Sequence, residues 1–164
     1  MCEDSIKVYL EELASNKPAP GGGSASALTG ALGAALLEMV CNFTLGKEKF
    51  KAAEKDVFRI LKESTNVRLR LTELIEEDEA AYLPVAEAYK LPKDTEEQKA
   101  VRKQRIQKAK ESAKKAPQEV KALCDKLFAF CDELQIKGNP MLADDVRCAR
   151  QLLSAASKGA ENFI

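Results

Sequence analysis

Apolar residues recur along this chain at three- and four-residue steps, and alternating β-branched or aromatic runs do not occur, which predicts an all-α fold. Ile6, Tyr9, Leu10 and Leu13 share one face of a first helix over about Ser5 to Ser15, with Asp4 as its N-cap. The segment Lys17-Pro18-Ala19-Pro20-Gly21-Gly22-Gly23 breaks that helix, because two prolines stiffen the backbone and three glycines release it. A second helix, capped by Ser24, extends to about Leu45 and stops at Gly46. Ser26, Gly30 and Ala34 form one row on it and Ala27, Ala31 and Ala35 the next, so neighbouring helices can approach closely. A helix with almost no polar face must be covered all round. The pattern therefore predicts a bundle of long helices around a small-residue central helix, with a second subunit supplying part of the cover.

The third helix, about Lys49 to Tyr89, carries an apolar seam of Val57, Ile60, Val67, Leu71, Leu74, Ala81, Val85 and Ala88, in which Ser64 and Asp78 are the polar exceptions. Such a seam suits long helices packed at shallow angles. Pro84 lacks the amide that would bond the Ala80 carbonyl, which predicts a kink near Asp78. After a loop from Lys90 to Asp94, Thr95 and Gln98 form a capping box for a fourth helix with Val101, Ile106, Ala109 and Ala113 on its apolar side. Pro117 begins or kinks the next segment, where Val120, Leu123, Cys124, Leu127, Cys131 and Leu134 continue the stripe. Lys137-Gly138-Asn139-Pro140 ends it, and a last helix from about Asp144 aligns Asp145, Ala149, Leu152 and Ala156.

Composition narrows the chemistry. A length of 164 residues suits one domain that buries roughly 70% of its unfolded surface without a staple. Lys+Arg and Asp+Glu are both 26, so overall charge does not attract nucleic acid. Histidine is absent, which excludes Ser/His/Asp and Cys/His nucleophile systems and His-ligated zinc. Cys2, Cys41, Cys124, Cys131 and Cys148 form no C-x-x-C pair and read as small apolar residues in a reducing cytoplasm. Glu3, Asp4 and Lys7 do not suit a secretory leader. Ala25 to Leu45 is long enough to span a bilayer, but Glu38, Asn42 and its many Ala, Gly and Ser favour a protein interior. The expectation is a cytoplasmic protein with no membrane span and no metal.

Three features exceed a helical scaffold. Pro20-Gly21-Gly22-Gly23-Ser24 opens a helix, where free backbone N–H groups and the helix dipole favour an anion. It lacks the Gly-Lys-Ser/Thr ending of a Walker loop and the strand before a Rossmann turn, and it also reads as a plain linker. Asp78 interrupts the seam, where a carboxylate must be paired or hydrogen-bonded, as structural networks also arrange. Glu76, Glu77 and Glu79 fall off the seam as solvated groups that repel charge on Asp78 and raise its pKa. Gly138-Asn139-Pro140 followed by Asp144-Asp145 reads as a glycine stop and a cap, with Asp145 on the apolar face. Nine basic residues against two acidic ones between Lys99 and Lys121 form a solvated face or a lure for an anionic tail.

Taken together, KPAPGGGSASALTGALGAALLEMVCNFTLGKEKF from Lys17, LIEEDEAAYLPVAEAYKLPKDTEEQK from Leu74 and the segment from Gly138-Asn139 to Asp145 resemble the cyclodeaminase/cyclohydrolase family of folate one-carbon metabolism. The resemblance spans essentially the whole chain and implies one helical domain over residues 1–164. Relatives continue through an "NVxINL"-like stretch into a further helix, so it also implies a shortened C-terminal end. Members are all-helical and commonly dimeric. Some convert 5-formiminotetrahydrofolate to 5,10-methenyltetrahydrofolate and ammonia; others interconvert methenyl- and 10-formyltetrahydrofolate with water. The family's acidic residue ahead of an Ala-Phe or Ala-Tyr pair falls on Asp78, before Ala81 and Tyr82, and its Ser-Asp pair after Gly-Asn falls on Asp144-Asp145, with Asp144 replacing serine. The resemblance implies a tetrahydrofolate substrate, no bound cofactor and a homodimer. It also implies catalytic Asp78 and Asp145, with substrate contacts from Pro20, Gly21, Gly22, Gly23, Ser24, Lys47, Tyr82 and Asn139. The rival reading is a non-catalytic helical dimer that binds a ligand or a partner protein.

Overall fold

A computed structural model describes residues 5–164; Cys2 and the expected cap Asp4 lie outside the described residues. The chain forms α1 (Ile6–Leu13), α2 (Gly22–Thr44), a 3-10 turn (Glu48–Ala53), α3 (Glu54–Lys90), α4 (Glu96–Ala113), α5 (Lys115–Lys137), a second 3-10 turn (Pro140–Leu142) and α6 (Ala143–Glu161). Among the described residues there is no strand, so the protein is all-α.

Side-chain contacts fix the direction of each helix. Gly23 meets Asp78, Gly30 meets Leu71 and Glu38 accepts from Thr65, so α3 runs antiparallel to α2. Ser26 lies beside Gly159, Gly30 beside Ala156 and Gly33 beside Leu153, so α6 is antiparallel to α2 as well. On α5, Cys124 faces Gly30 and Gly138 faces Val40, a parallel arrangement. Ion pairs Arg70–Glu119 at 2.7 Å, Glu63–Lys126 at 2.6 Å and Asp56–Lys137 at 2.7 Å bind α3 to α5 in one antiparallel register. Arg102 on α4 donates to the Tyr89 carbonyl at 3.1 Å in nearly the same register. Helices α4 and α5 therefore run in one direction, as two halves of a long arm interrupted at Lys114. Pro117 sits in the first turn of α5, where its missing N–H breaks no helical bond.

The core lies where α3, α5 and α6 meet α2. Leu37, Val40, Ile60, Leu71, Leu74, Leu127 and Leu153 are fully shielded. A methyl at Gly30 would meet Cys124 Sγ at 2.8 Å, and one at Gly33 would meet Leu153 at 2.8 Å, so the small side chains are what allow these helices to close in. Twelve residues of α2 are buried in this way, although its length and composition also match a bilayer span. The α3 seam is buried from Val57 to Ala88 and gains Ile75, while Ala81 and Asp78 are half-buried. The helix continues through Pro84.

Several local expectations change. Ser5 caps α1, its Oγ accepting the Val8 N–H at 3.3 Å. Only Tyr9 of α1 is buried, and Ile6 and Leu10 remain exposed. Gly21, not Ser24, occupies the cap of α2. The capping box of Thr95 and Gln98 forms. No described residue of α4 is buried, and Val101 is exposed, since α4 packs chiefly on α3 and little on α5. On α6, Leu153 rather than Leu152 turns inward, in step with Val146, Ala149, Ala156 and Ala160.

Candidate active site

The glycine turn and Asp78 form one unit. Gly21 is extended (φ −141°, ψ −163°) and offers the first turn of α2 no side-chain cap among the described residues. Ser24, in that turn, donates its backbone N–H to the Asp78 carboxylate from α3. A side chain 54 positions away thus takes the place of a local cap, with its charge at the positive end of the helix dipole. Gly23 makes the approach feasible, because a methyl there would overlap both carboxylate oxygens of Asp78. Burial pushes the Asp78 pKa up, opposed by the bond from Ser24. Repulsion from neighbouring glutamates is not the cause: Glu77 pairs with Arg70 at 2.6 Å, and Glu76 is exposed. Glu79 departs from the solvated position expected of it. It is half-buried, its Oε1 is shielded without a hydrogen-bond partner among the described residues, and its pKa is raised by burial and then by Glu12.

Behind the turn, the Tyr9 hydroxyl lies 2.9 Å from Ser24 Oγ, which in turn donates to the Gly21 carbonyl at 3.2 Å. Sequence reasoning placed Tyr9 among core residues only. The available signal was its hydroxyl, which needs a partner when the ring is buried. In front, Asp78 opens on a cavity of about 420 Å³ lined by Tyr82, Tyr89, Lys110, Lys114 and Phe163. Lys110 Nζ lies 5.5 Å from the Tyr89 ring centroid, and the Phe163 ring covers Gly22. Pro20 is buried at the entry to the turn, and Tyr82 is partly exposed at the cavity wall.

Lys47, Asn139 and Asp145 lie at the other end of the bundle. The Asn139 N–H donates to Thr44 Oγ1 at 3.0 Å, and its Oδ1 accepts from Met141 at 3.2 Å, so this side chain caps the turn before α6. Lys47 is exposed, with Nζ 5.7 Å from the Phe43 ring centroid. Asp145 is half-buried in the first turn of α6, and Asp144 pairs with Arg147. The register of α6 on α2 sets Asp145 level with Cys41, roughly 18 helical residues or about 27 Å from the level of Gly23. Within this chain, the structure gathers Gly21, Gly22, Gly23, Ser24, Asp78 and Tyr82 and leaves Lys47, Asn139 and Asp145 apart.

Among the described residues, the buried cysteines form neither a reactive thiol nor a metal site. Burial pushes the Cys41 and Cys124 thiols up to about 12 and that of Cys131 to about 11, so all three stay protonated at neutral pH. Among the described residues, no three or more Cys, Asp or Glu side chains gather as metal ligands. The chemistry on offer is a desolvated carboxylate beside backbone donors, facing an aromatic and cationic wall. Such a group stabilises a cation when ionised and carries a proton when not.

Comparison with known proteins places this geometry in context. Residues 5–163 match the family described as formiminotransferase-cyclodeaminase. The methenyltetrahydrofolate cyclohydrolase of Methylorubrum extorquens is 40% identical over 146 residues, covering 89% of this chain and 70% of that protein. The formimidoyltransferase-cyclodeaminase of Sus scrofa is 31% identical over 94% of this chain, which spans only 29% of that longer protein. The crystal structure of formiminotetrahydrofolate cyclodeaminase from Thermotoga maritima superposes with a TM-score of 0.85 at 30% identity, over 98% of this chain and 76% of that one. With nearly every described residue matched in sequence and in fold, this chain belongs to the formiminotransferase-cyclodeaminase family.

Proposed function

We propose that this protein forms and hydrolyses 5,10-methenyltetrahydrofolate, acting as a cyclohydrolase. The observation that carries this reading is Asp78, a half-buried carboxylate held by the Ser24 N–H at the mouth of a cavity. The methenyl carbon shares a positive charge with two nitrogens, and an ionised Asp78 stabilises it electrostatically. As water bonds to that carbon, Asp78 accepts one of its protons. The remaining hydroxyl proton passes to the departing nitrogen as the carbon–nitrogen bond breaks, leaving a formyl group. The 40% identity to a methenyltetrahydrofolate cyclohydrolase supports this direction.

The structural match to a formiminotetrahydrofolate cyclodeaminase supports a second reaction at the same carbon. There, a substrate N–H closes the ring on the formimino carbon and ammonia leaves: the departing nitrogen takes up the hydrogen of the attacking nitrogen and one further proton from protonated Asp78.

The protein acts as a cytoplasmic homodimer. Leu28, Leu32, Leu36, Met39 and Phe43 form a stripe along α2 that the other helices cover only in part: Leu28 and Leu36 touch the core, and Leu32 and Phe43 are about half exposed. Two copies packed antiparallel on this stripe bring the glycine turn and Asp78 of one beside the partner's Lys47, Asn139 and Asp145. Asp145 then pairs with Asp78 or binds pterin nitrogens, the amides of Gly22 and Gly23 meet a substrate carbonyl, and Lys47 with the basic α4 attracts the glutamate tail.

Offering the purified protein 5,10-methenyl- and 5-formiminotetrahydrofolate, and following the methenyl absorbance, tests the reading. Accelerated loss of the first identifies a cyclohydrolase, and appearance from the second a cyclodeaminase. If neither changes and no tetrahydrofolate derivative binds, the protein is a helical scaffold.

A further inference from the structure

Tyr9, the one buried residue of α1, joins the core beside the glycine turn and plays no part in the chemistry above. It is 7% exposed, and its hydroxyl lies 2.9 Å from Ser24 Oγ. Ser24 directs its own proton to the Gly21 carbonyl, so Tyr9 is the donor and Ser24 Oγ the acceptor. The hydrogen bonds run from Tyr9 to Ser24 to Gly21 and end on the backbone of the turn. That turn has little stiffness of its own, since Gly21, Gly22 and Gly23 carry no side chains to restrict it. Ser24 is also the residue whose N–H meets the Asp78 carboxylate.

We infer that Tyr9 is a positioning residue whose hydroxyl, acting through Ser24, locks the first turn of α2 so that the Ser24 N–H is aimed at Asp78. This rests on Asp78 being the acid/base group. Burial holds the Tyr9 pKa above its ordinary value, so the donor is present throughout the neutral range. The titratable groups around Asp78 are Tyr9 on α1, Glu79, Tyr82 and Tyr89 on α3, Lys110 on α4 and Lys114 at the arm's interruption; Glu12 of α1 acts on Glu79. Asn162, Phe163 and Ile164 complete the wall without a charged side chain. Among the described residues, the hydrogen bonds from Tyr9 reach the donor on Asp78 through Ser24.

The test reads Asp78 directly, by carbon-13 NMR of labelled aspartate carboxyls, with the signal assigned from its loss in Asp78→Asn. Tyr9→Phe keeps the ring and removes the hydroxyl. Asp78 should then titrate about half a unit higher, and the acid limb of the turnover profile should move with it at nearly constant KM. Ser24→Ala should produce a similar displacement, and Tyr9→Phe should add nothing in the Ser24→Ala background. An unchanged Asp78 titration in Tyr9→Phe, or shifts that add in the double variant, overturns the inference. If Tyr9→Phe does not fold, an unchanged titration in Ser24→Ala overturns it equally. The titration needs no substrate, so a folded protein inactive on folates refutes the proposed function and still leaves this test to be read.

Discussion

The two ends of the bundle use polar residues in opposite ways. At the glycine turn, a carboxylate is drawn out of water, which raises its proton affinity, and is given one backbone donor, which offsets only part of that rise. At the far end, Asn139 satisfies Thr44 and Met141, Lys47 reaches solvent, and Asp145 keeps partial exposure. Asn139 is taken up by the turn it caps, whereas Asp78 caps α2 and also faces a cavity. A desolvated carboxylate facing a cavity remains available for chemistry, at a cost in stability.

Asp78→Asn gives the largest expected effect: turnover falls by about a thousandfold while the melting temperature holds or rises, because a desolvated charge is removed. Near-normal turnover measured at saturating substrate would place the chemistry elsewhere. Mixing Asp78→Asn with Asp145→Asn sharpens the comparison further. If each site joins both ends across a dimer, half of the dimers are mixed and each holds one intact site, so activity recovers to about a quarter of the wild-type value. Recovery near zero on mixing and re-equilibrating the variants would separate the two ends functionally.

Stability against pH distinguishes the ends without substrate. The folded-state pKa of Asp78 lies above its ordinary value of 3.8, so the folded protein holds this proton more tightly than the unfolded chain. This contribution to stability is present below 3.8 and declines as pH rises through the folded pKa. Denaturant unfolding at a series of pH values should show that component in the wild type and not in Asp78→Asn. The smallest effect is expected at the far end. Asn139→Ala should cost about 1 kcal/mol by removing the cap before α6, with the acid limb of the activity profile unmoved. A displaced limb would give Asn139 a part in the protonation of the site.

Much of the bundle was legible in the sequence because its signals are short-range. The seam of α3 needs only its own spacing, and Thr95 and Gln98 meet within one helical turn. The contact between the glycine turn and Asp78 was nearly legible too. Residues equidistant from the connection of an antiparallel helix pair fall side by side, and Gly23 and Asp78 stand within one helical turn of equal distances from the α2–α3 connection. The position of Asp145 was not. Helices that reverse direction at every connection would return the start of α6 to the glycine turn, but α5 continues the direction of α4, so α6 begins at the opposite end. Lys114 makes the interruption without a reversal, and no local pattern distinguishes that from a hairpin.

By itself, then, the sequence determined the helices, their apolar faces and the carboxylate that breaks one of them, since spacing and capping act within a turn or two. Only the tertiary structure decided that Asp78 caps α2, that Tyr9 stands behind it, and that Asp145 lies about 27 Å away along the bundle. Those relations depend on the direction and register of helices far apart in the chain. Close packing over the whole length of α2 sets them, and no segment encodes them alone.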